Sequence, residues 1–292
     1  MRHIAENAST LKVKFHGGRA DFQLLRTAAL RIYIYANKIM QAGNVMDQSV
    51  EDIIADGDKF FQKEKMIDAI REYQKAFDLV GKEENDDTAD LAYKLSQAYN
   101  SLESKNDQNS RKFAEVSLSI HRKNGEKELE VMDLINLGYI ELDASKKEEG
   151  EAFFNEALKL SDSLKDPFLF CTSLNAIAEM KAASARSRSE ASKMYDQVLK
   201  ISEETEDWEN FFEAKRGQIG IIRAEGDEEK ALQSAMETLD KIDKIASGIK
   251  NKKEKKEFRK SLSFVYDLAS DIAMELENVE EAIKIAQRSN QD

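Results

Sequence analysis

Apolar and small residues recur along this chain at three- and four-residue steps, with polar residues between them. The clearest stretch is Leu137 to Ser161, LGYIELDASKKEEGEAFFNEALKLS. Such spacing predicts helices with one covered side, and the polar run LDASKKE predicts a short loop between two of them. Counted from Gly138, Gly150 stands at offset 12, Phe154 at 16 and Ala157 at 19. The same ruler laid at Gly57 meets Ala69, Tyr73 and Ala76 at the same three offsets, with Phe60 near its start. Two separate segments thus place small, aromatic and small residues in one register.

Weaker copies fill the intervals. Leu95, Ser96 and Tyr99 open one that closes with Ser110, Ala114 and Ser117, and Ile177 and Ala178 open another that closes with Ala191, Tyr195 and Val198. A fifth runs from Ile219 and Ile222 through Gly226 to Ala231 and Ala235, and a degenerate sixth uses Leu268, Ala269 and Ala282. Registers at 57, 96, 138, 178 and 219 are 39, 42, 40 and 41 residues apart. Each unit therefore reads as two antiparallel helices, whose small residues let the axes approach to about 8–10 Å. The aromatic at offset 16 is expected to fill the space between neighbouring units. No unit of this kind hides its apolar face alone, so several must stack.

The pattern at Gly57, Phe60, Ala69, Tyr73 and Ala76, and again at Leu137, Gly138, Gly150, Phe154 and Ala157, resembles the tetratricopeptide (TPR) repeat family. The resemblance covers roughly residues 49 to 245, with a poorer copy to 290. A period near 40 points to the long-repeat, kinesin-light-chain-like variant, and the proline that often closes a repeat is replaced by polar residues or glycine, such as Asp162 and Gly81. The resemblance implies an all-α, right-handed α-α superhelix, a solenoid of stacked antiparallel helix pairs. The expected organisation is a loose segment and one helix (about 21–41) in residues 1–48, five repeats in 49–247, and a degenerate helix pair capping the array in 248–292.

Composition agrees with this and narrows the function. A single proline and twelve glycines are too little punctuation for a β-rich fold. The formal net charge of −12 argues against a general nucleic-acid binder and favours, weakly, basic partners. With Cys171 alone there is no internal disulfide, so a reducing cytoplasm is the expected setting. The stretch LLRTAALRIYIYANKIM is interrupted by Arg26, Arg31 and Lys38, so no membrane span is expected.

Catalytic signals are thin. His3, His16 and His121 lie in separate elements without zinc-ligand spacing, and Cys171 reads as a buried structural thiol. HGGR at 16–19 reads as a turn, ENDDTAD at 84–90 as an acidic loop, Trp208 as core, and KNKKEKKEFRK at 250–260 as a solvated run leading into the last helix pair. No metal, cofactor or enzyme activity is expected.

The resemblance implies that the first helix of each pair lines a concave face used for extended or helical peptides. Carried onto this chain, the groove positions include Tyr93, Lys94, Gln97, Asn136, Tyr139, Asn175, Glu179, Arg216 and Arg223, with Phe61, Met132, Ile135, Ala176 and Gly217 among the others. Asn136 and Asn175 carry amides able to hold both N–H and C=O of a peptide backbone. Tyr93 and Tyr139 supply rigid amphipathic area, and charge divides between Glu51, Asp58 and Asp90 at one end and Arg216 and Arg223 at the other. The carboxylate clamp of chaperone-tail-binding members is not formed: Ile54, Asp58, Lys94, Met132 and Asn136 occupy its positions, and the frame one repeat on fails as well.

The expected function is a non-enzymatic protein–protein interaction scaffold that binds a peptide or helix of a partner. A peptide- or protein-responsive regulatory sensor is the alternative; an enzyme with a carboxylate site on the inner face is the alternative of another class. A homodimer through the N-terminal helix is also open.

Overall fold

The computed structural model describes residues 48–80, 83–102 and 107–289. The helix expected over 21–41, residues 1–20, HGGR and Gly81 lie outside them. The described residues form helices joined by short turns. In order these are α1 (Gln48–Phe61), α2 (Met66–Val80), α3 (Asp86–Asn100), α4 (Asp107–Asn124), α5 (Lys127–Asp143), α6 (Lys147–Leu164), α7 (Pro167–Ala182), α8 (Arg188–Glu204), α9 (Trp208–Ala224), α10 (Glu228–Gly248), α11 (Lys252–Ser261), α12 (Ser263–Glu275) and α13 (Val279–Ser289). The first helices of the pairs begin at Gln48, Asp86, Lys127, Pro167 and Trp208, in steps of 38, 41, 40 and 41 residues.

The chain divides into two compact units at Ile221/Ile222, within the last turn of α9. In the unit 48–221 the helices from α1 to α8 each pack on their neighbours in sequence, α9 meets α8 where Gly217 faces Tyr195, and α5 also meets the first helices α3 and α7 on either side. This is the stacked-pair solenoid that the repeat predicts. The two kinds of helix are buried differently. Second helices hide one stripe: Gly150, Phe154, Ala157 and Ser161 on α6, and Ala191, Tyr195, Val198 and Ser202 on α8. Those residues sit at i, i+4, i+7 and i+11, one side of a helix. The central first helices are enclosed: twelve of the seventeen residues of α5 are buried, Glu130, Asp133, Asn136 and Glu141 among them, and nine of the fifteen of α3.

The aromatic stripe residues explain the glycines. A Cβ on Gly138 would stand 2.3 Å from Phe154, and one on Gly57 2.5 Å from Tyr73. Each ring thus lies against the glycine of its own pair, and Tyr73 also faces the next pair, with Lys94 Nζ over its ring at 5.5 Å. Phe154 then meets Tyr139 edge-on, with ring centroids 5.0 Å apart.

Turns between helices close without proline. Glu64, Gly125, Ser145, Lys165 and Glu206 adopt left-handed backbone in the turns between helices of this unit. The single proline instead opens α7 at its first position, where its missing N–H costs nothing, and Asp166 caps the same end by accepting from Phe168 and Leu169 N–H at 2.9 and 3.1 Å.

In the unit 222–289, α12 packs on α10 and α13. Three helices follow Gly248 among the described residues, where a pair was expected. The additional one is the basic run itself: Asn251 caps α11, Phe258 is buried, and the Arg259 guanidinium forms an ion pair with Asp243 at 2.9 Å. Asp243 also takes Arg288 at 2.6 Å, and Arg288 reaches Asp240 at 2.7 Å. Burial, with Asp243 adding to it, pushes the neighbouring Tyr266 phenol up to about 12, against the pull of Arg259 and Arg288.

Candidate functional site

Polar side chains on the first helices of the unit 48–221 join across neighbouring pairs. Lys94 on α3 meets Asp58 on α1 at 2.5 Å. Asn100 donates to Asp143 at 3.0 Å, and Asn136 to Ser96 at 2.9 Å, both between α3 and α5. The Tyr139 hydroxyl donates to Glu179 on α7 at 3.0 Å, and Glu179 faces Arg216 on α9 at 3.8 Å. Asn175 donates to Asn210 Oδ1 at 3.1 Å. These partners are 35 to 43 residues apart in sequence, one repeat each.

The ladder sorts the sequence candidates. Tyr93, Gln97 and Asn136 are 0%, 5% and 4% exposed, so they belong to the interior. Gln97 donates to the Tyr93 hydroxyl at 2.9 Å, and Asn136 spends its amide on Ser96. Phe61, Met132, Ile135 and Ala176 are likewise core. A Cβ on Gly217 would collide with the Tyr195 ring at 2.1 Å, so that position too is packing. The reason is how closely neighbouring pairs stack: Asn136 and Gly217, which the resemblance places on the groove, meet Ser96 and Tyr195 of the preceding pair.

Lys94, Tyr139, Asn175, Glu179 and Arg216 keep part of their surface. Arg216 is 33% exposed along its side chain, and Glu213 grips it twice, at 2.6 and 2.9 Å. Glu213 is the main cause that holds the guanidinium above its ordinary value, against burial and with help from the nearby Tyr139 and Tyr195 hydroxyls. Arg216 is therefore charge-matched by Glu213 and Glu179, and the expected division of charge along the face is weaker than the sequence suggests. Arg223 belongs to the other unit, where it bonds both oxygens of Glu275 at 2.6 Å. Two amide oxygens of this ladder, Asn100 Oδ1 and Asn175 Oδ1, are buried without a donor among the described residues.

Sequence reasoning missed a polar cluster between α4 and α5. His121 Nδ1 meets Asp133 at 2.5 Å and Ser117 donates to the same carboxylate at 2.8 Å, with His121 and Asp133 wholly enclosed. The repeat register could have found it. His121 occupies the stripe position held by Ser161 on α6 and Ser202 on α8, and Asp133 the position of Ser173, which accepts from Ser161 at 3.4 Å. Both Ser117 and His121 direct their polar atoms at Asp133, and both His121 and Asp133 are closed to solvent. The cluster ties two helices together and is not arranged for nucleophilic attack. Cys171 is buried as well.

No protein-family model and no curated sequence matches the chain. Solved structures do. A Rap protein complexed with Competence and Sporulation Factor aligns over 99% of this chain and 89% of its own, with a TM-score of 0.60 at 16% identity. The chain has the fold of TPR-like helical repeat proteins. The apo form of RapI aligns over 91% of this chain and 92% of its own, with a TM-score of 0.53 at 12% identity. The STAND protein PH0952 of Pyrococcus horikoshii, described as having a tetratricopeptide repeat sensor, aligns over 91% of this chain and 39% of its own, at TM-score 0.54 and 18% identity. In this TPR-like chain no described helix is long and apolar enough to cross a membrane.

Proposed function

We propose that the chain is a protein-interaction module that holds a peptide segment of a partner on the first-helix face of residues 48–221. The observation that carries this reading is Asn175. Its amide N–H is fixed by Asn210, while its Oδ1 is left without a donor, one helical turn from Glu179. A buried acceptor left unfilled costs about 1–3 kcal/mol, and a peptide N–H supplies the missing donor. Tyr139 and Arg216 flank the same position through Glu179 and offer an aromatic face and a planar cation, side chains enriched where binding energy concentrates. The groups sit on packed helices and are held by one another, so little ordering cost remains for binding.

A regulatory form of this reading draws on the neighbours' own descriptions, a Rap protein with a bound factor and a TPR sensor. In that form an occupied face changes the stacking of the pairs, and small-angle scattering reads the change.

The test is affinity capture with the full chain, comparing wild type with Asn175→Ala/Arg216→Ala and, as an outer-surface control, Lys159→Ala. Proteins retained by wild type and by the control should be retained about tenfold less by the double variant, with helical circular dichroism unchanged. Equal recovery by all three chains refutes the assignment of this face.

A further inference from the structure

A second surface lies in the unit 222–289. Glu229, Leu232, Gln233 and Met236 follow one another at i, i+3, i+4 and i+7, so they share one side of α10. Leu276 and Asn278 from the turn between α12 and α13, and Glu281 from the first turn of α13, face them across a groove of about 470 Å³. Three half-buried apolar side chains make its floor, and two carboxylates stand on its walls. The groove has no cation of its own in its lining. Glu281 reaches only Lys284, at 3.7 Å, and Lys284 bonds Glu280 more closely, at 2.8 Å.

We propose that this groove receives an arginine side chain from an extended or helical segment of another protein. The chemistry is that of an amphipathic cation. A methylene stem loses water against Leu232, Met236 and Leu276, while the guanidinium fork bonds the carboxylates of Glu229 and Glu281. The Asn278 side-chain oxygen already accepts from the Glu281 N–H at 3.2 Å, so a remaining guanidinium N–H goes to the Gln233 side-chain oxygen. Lysine satisfies one carboxylate as a point charge, whereas arginine spans two. A second copy of this chain is the poorer occupant. A two-fold contact on this groove sets Glu229 and Glu281 against their own copies, in a chain whose net charge is already −12.

This surface is separate from the proposed first-helix face, and either assignment can fail without the other. The experiment uses the full chain with methyl-¹³C methionine, its Met236 signal assigned through Met236→Leu. The probe is N-acetyl-arginine amide. A saturable shift of the Met236 methyl is expected. It should be weakened about tenfold or more in Glu229→Gln/Glu281→Gln, and retained in Glu204→Gln/Glu206→Gln, which changes net charge equally in the other unit. N-acetyl-norleucine amide, which has the stem without the charge, and guanidinium chloride, which has the charge without the stem, should each act at least about tenfold more weakly. No saturable shift overturns the proposal, as does an equal response from the Glu229→Gln/Glu281→Gln chain. A Met236 shift that follows protein concentration alone assigns the groove to a second copy and also overturns it.

Discussion

Gly138 gives the sharpest test of the packing. Replaced by alanine, it gains about 1 kcal/mol of intrinsic helix stability. Against that, the new methyl lies 2.3, 2.5 and 2.9 Å from three ring carbons of Phe154, where contacts settle at about 3.5–4.0 Å. The ring must move by roughly 1 Å, yet it is fully buried and held edge-on by Tyr139. The backbones cannot part cheaply either, because a Cβ on Gly150 would come within 2.9 Å of the Gly138 carbonyl. Overpacking of this kind costs about 1–3 kcal/mol, and overlap this severe falls in the upper part of that range. The net expectation is a loss of about 1–2 kcal/mol. The internal control is Gly220, also helical, where an added Cβ meets nothing within 4 Å. Gly220→Ala should be more stable by about 1 kcal/mol. Thermal melts followed by far-UV circular dichroism should place Gly138→Ala about 2–8 °C below wild type and Gly220→Ala above it. If both variants gain stability, the close approach of α5 to the Phe154 ring is not the packing of this protein.

Ala157→Trp, on the buried stripe of α6, should cost about 1–3 kcal/mol or more, while exposed Lys159→Ala should be nearly neutral; equal melting temperatures would contradict the register. His121→Ser and Asp133→Ser should each destabilise by about 1–3 kcal/mol, because each removes one partner from an enclosed hydrogen-bonded cluster in which Ser117 also bonds Asp133. The double variant, which installs the serine pair of the next repeat, should lose clearly less than the sum in a double-mutant denaturation cycle; additivity would show that the two groups are not coupled. Burial works to raise the Glu130 carboxyl, but bonds from Lys127 and Arg122 outweigh it and set the value below the ordinary one. Its stabilising contribution is thus present above the unfolded value and lost as pH falls through the folded one, so Glu130→Gln should flatten the acid limb of a stability–pH curve. Tyr266, raised to about 12, contributes stability that is full below the unfolded value near 10 and is lost as pH rises to about 12. Ultraviolet titration should show a late tyrosine contribution that Tyr266→Phe diminishes by one group.

The repeat at 57, 96, 138, 178 and 219 was enough to determine the helix pairs, their period and the inward small and aromatic residues, because neighbours in a stacked array recur at fixed sequence intervals. What the interval cannot encode is how many sides of a helix its neighbours cover. Tyr93 and Asn136 have polar atoms and groove-like positions, yet both are enclosed, because α3 and α5 are packed from several directions at once. The register does align His121 and Asp133 with Ser161 and Ser173, but that they meet at 2.5 Å depends on how closely α4 approaches α5. The repeat interval determines the order of the helices along this protein; tertiary contact decided which of their polar groups bond one another, as Asn136 does Ser96, and which, like Asn175 Oδ1, are buried without a donor among the described residues.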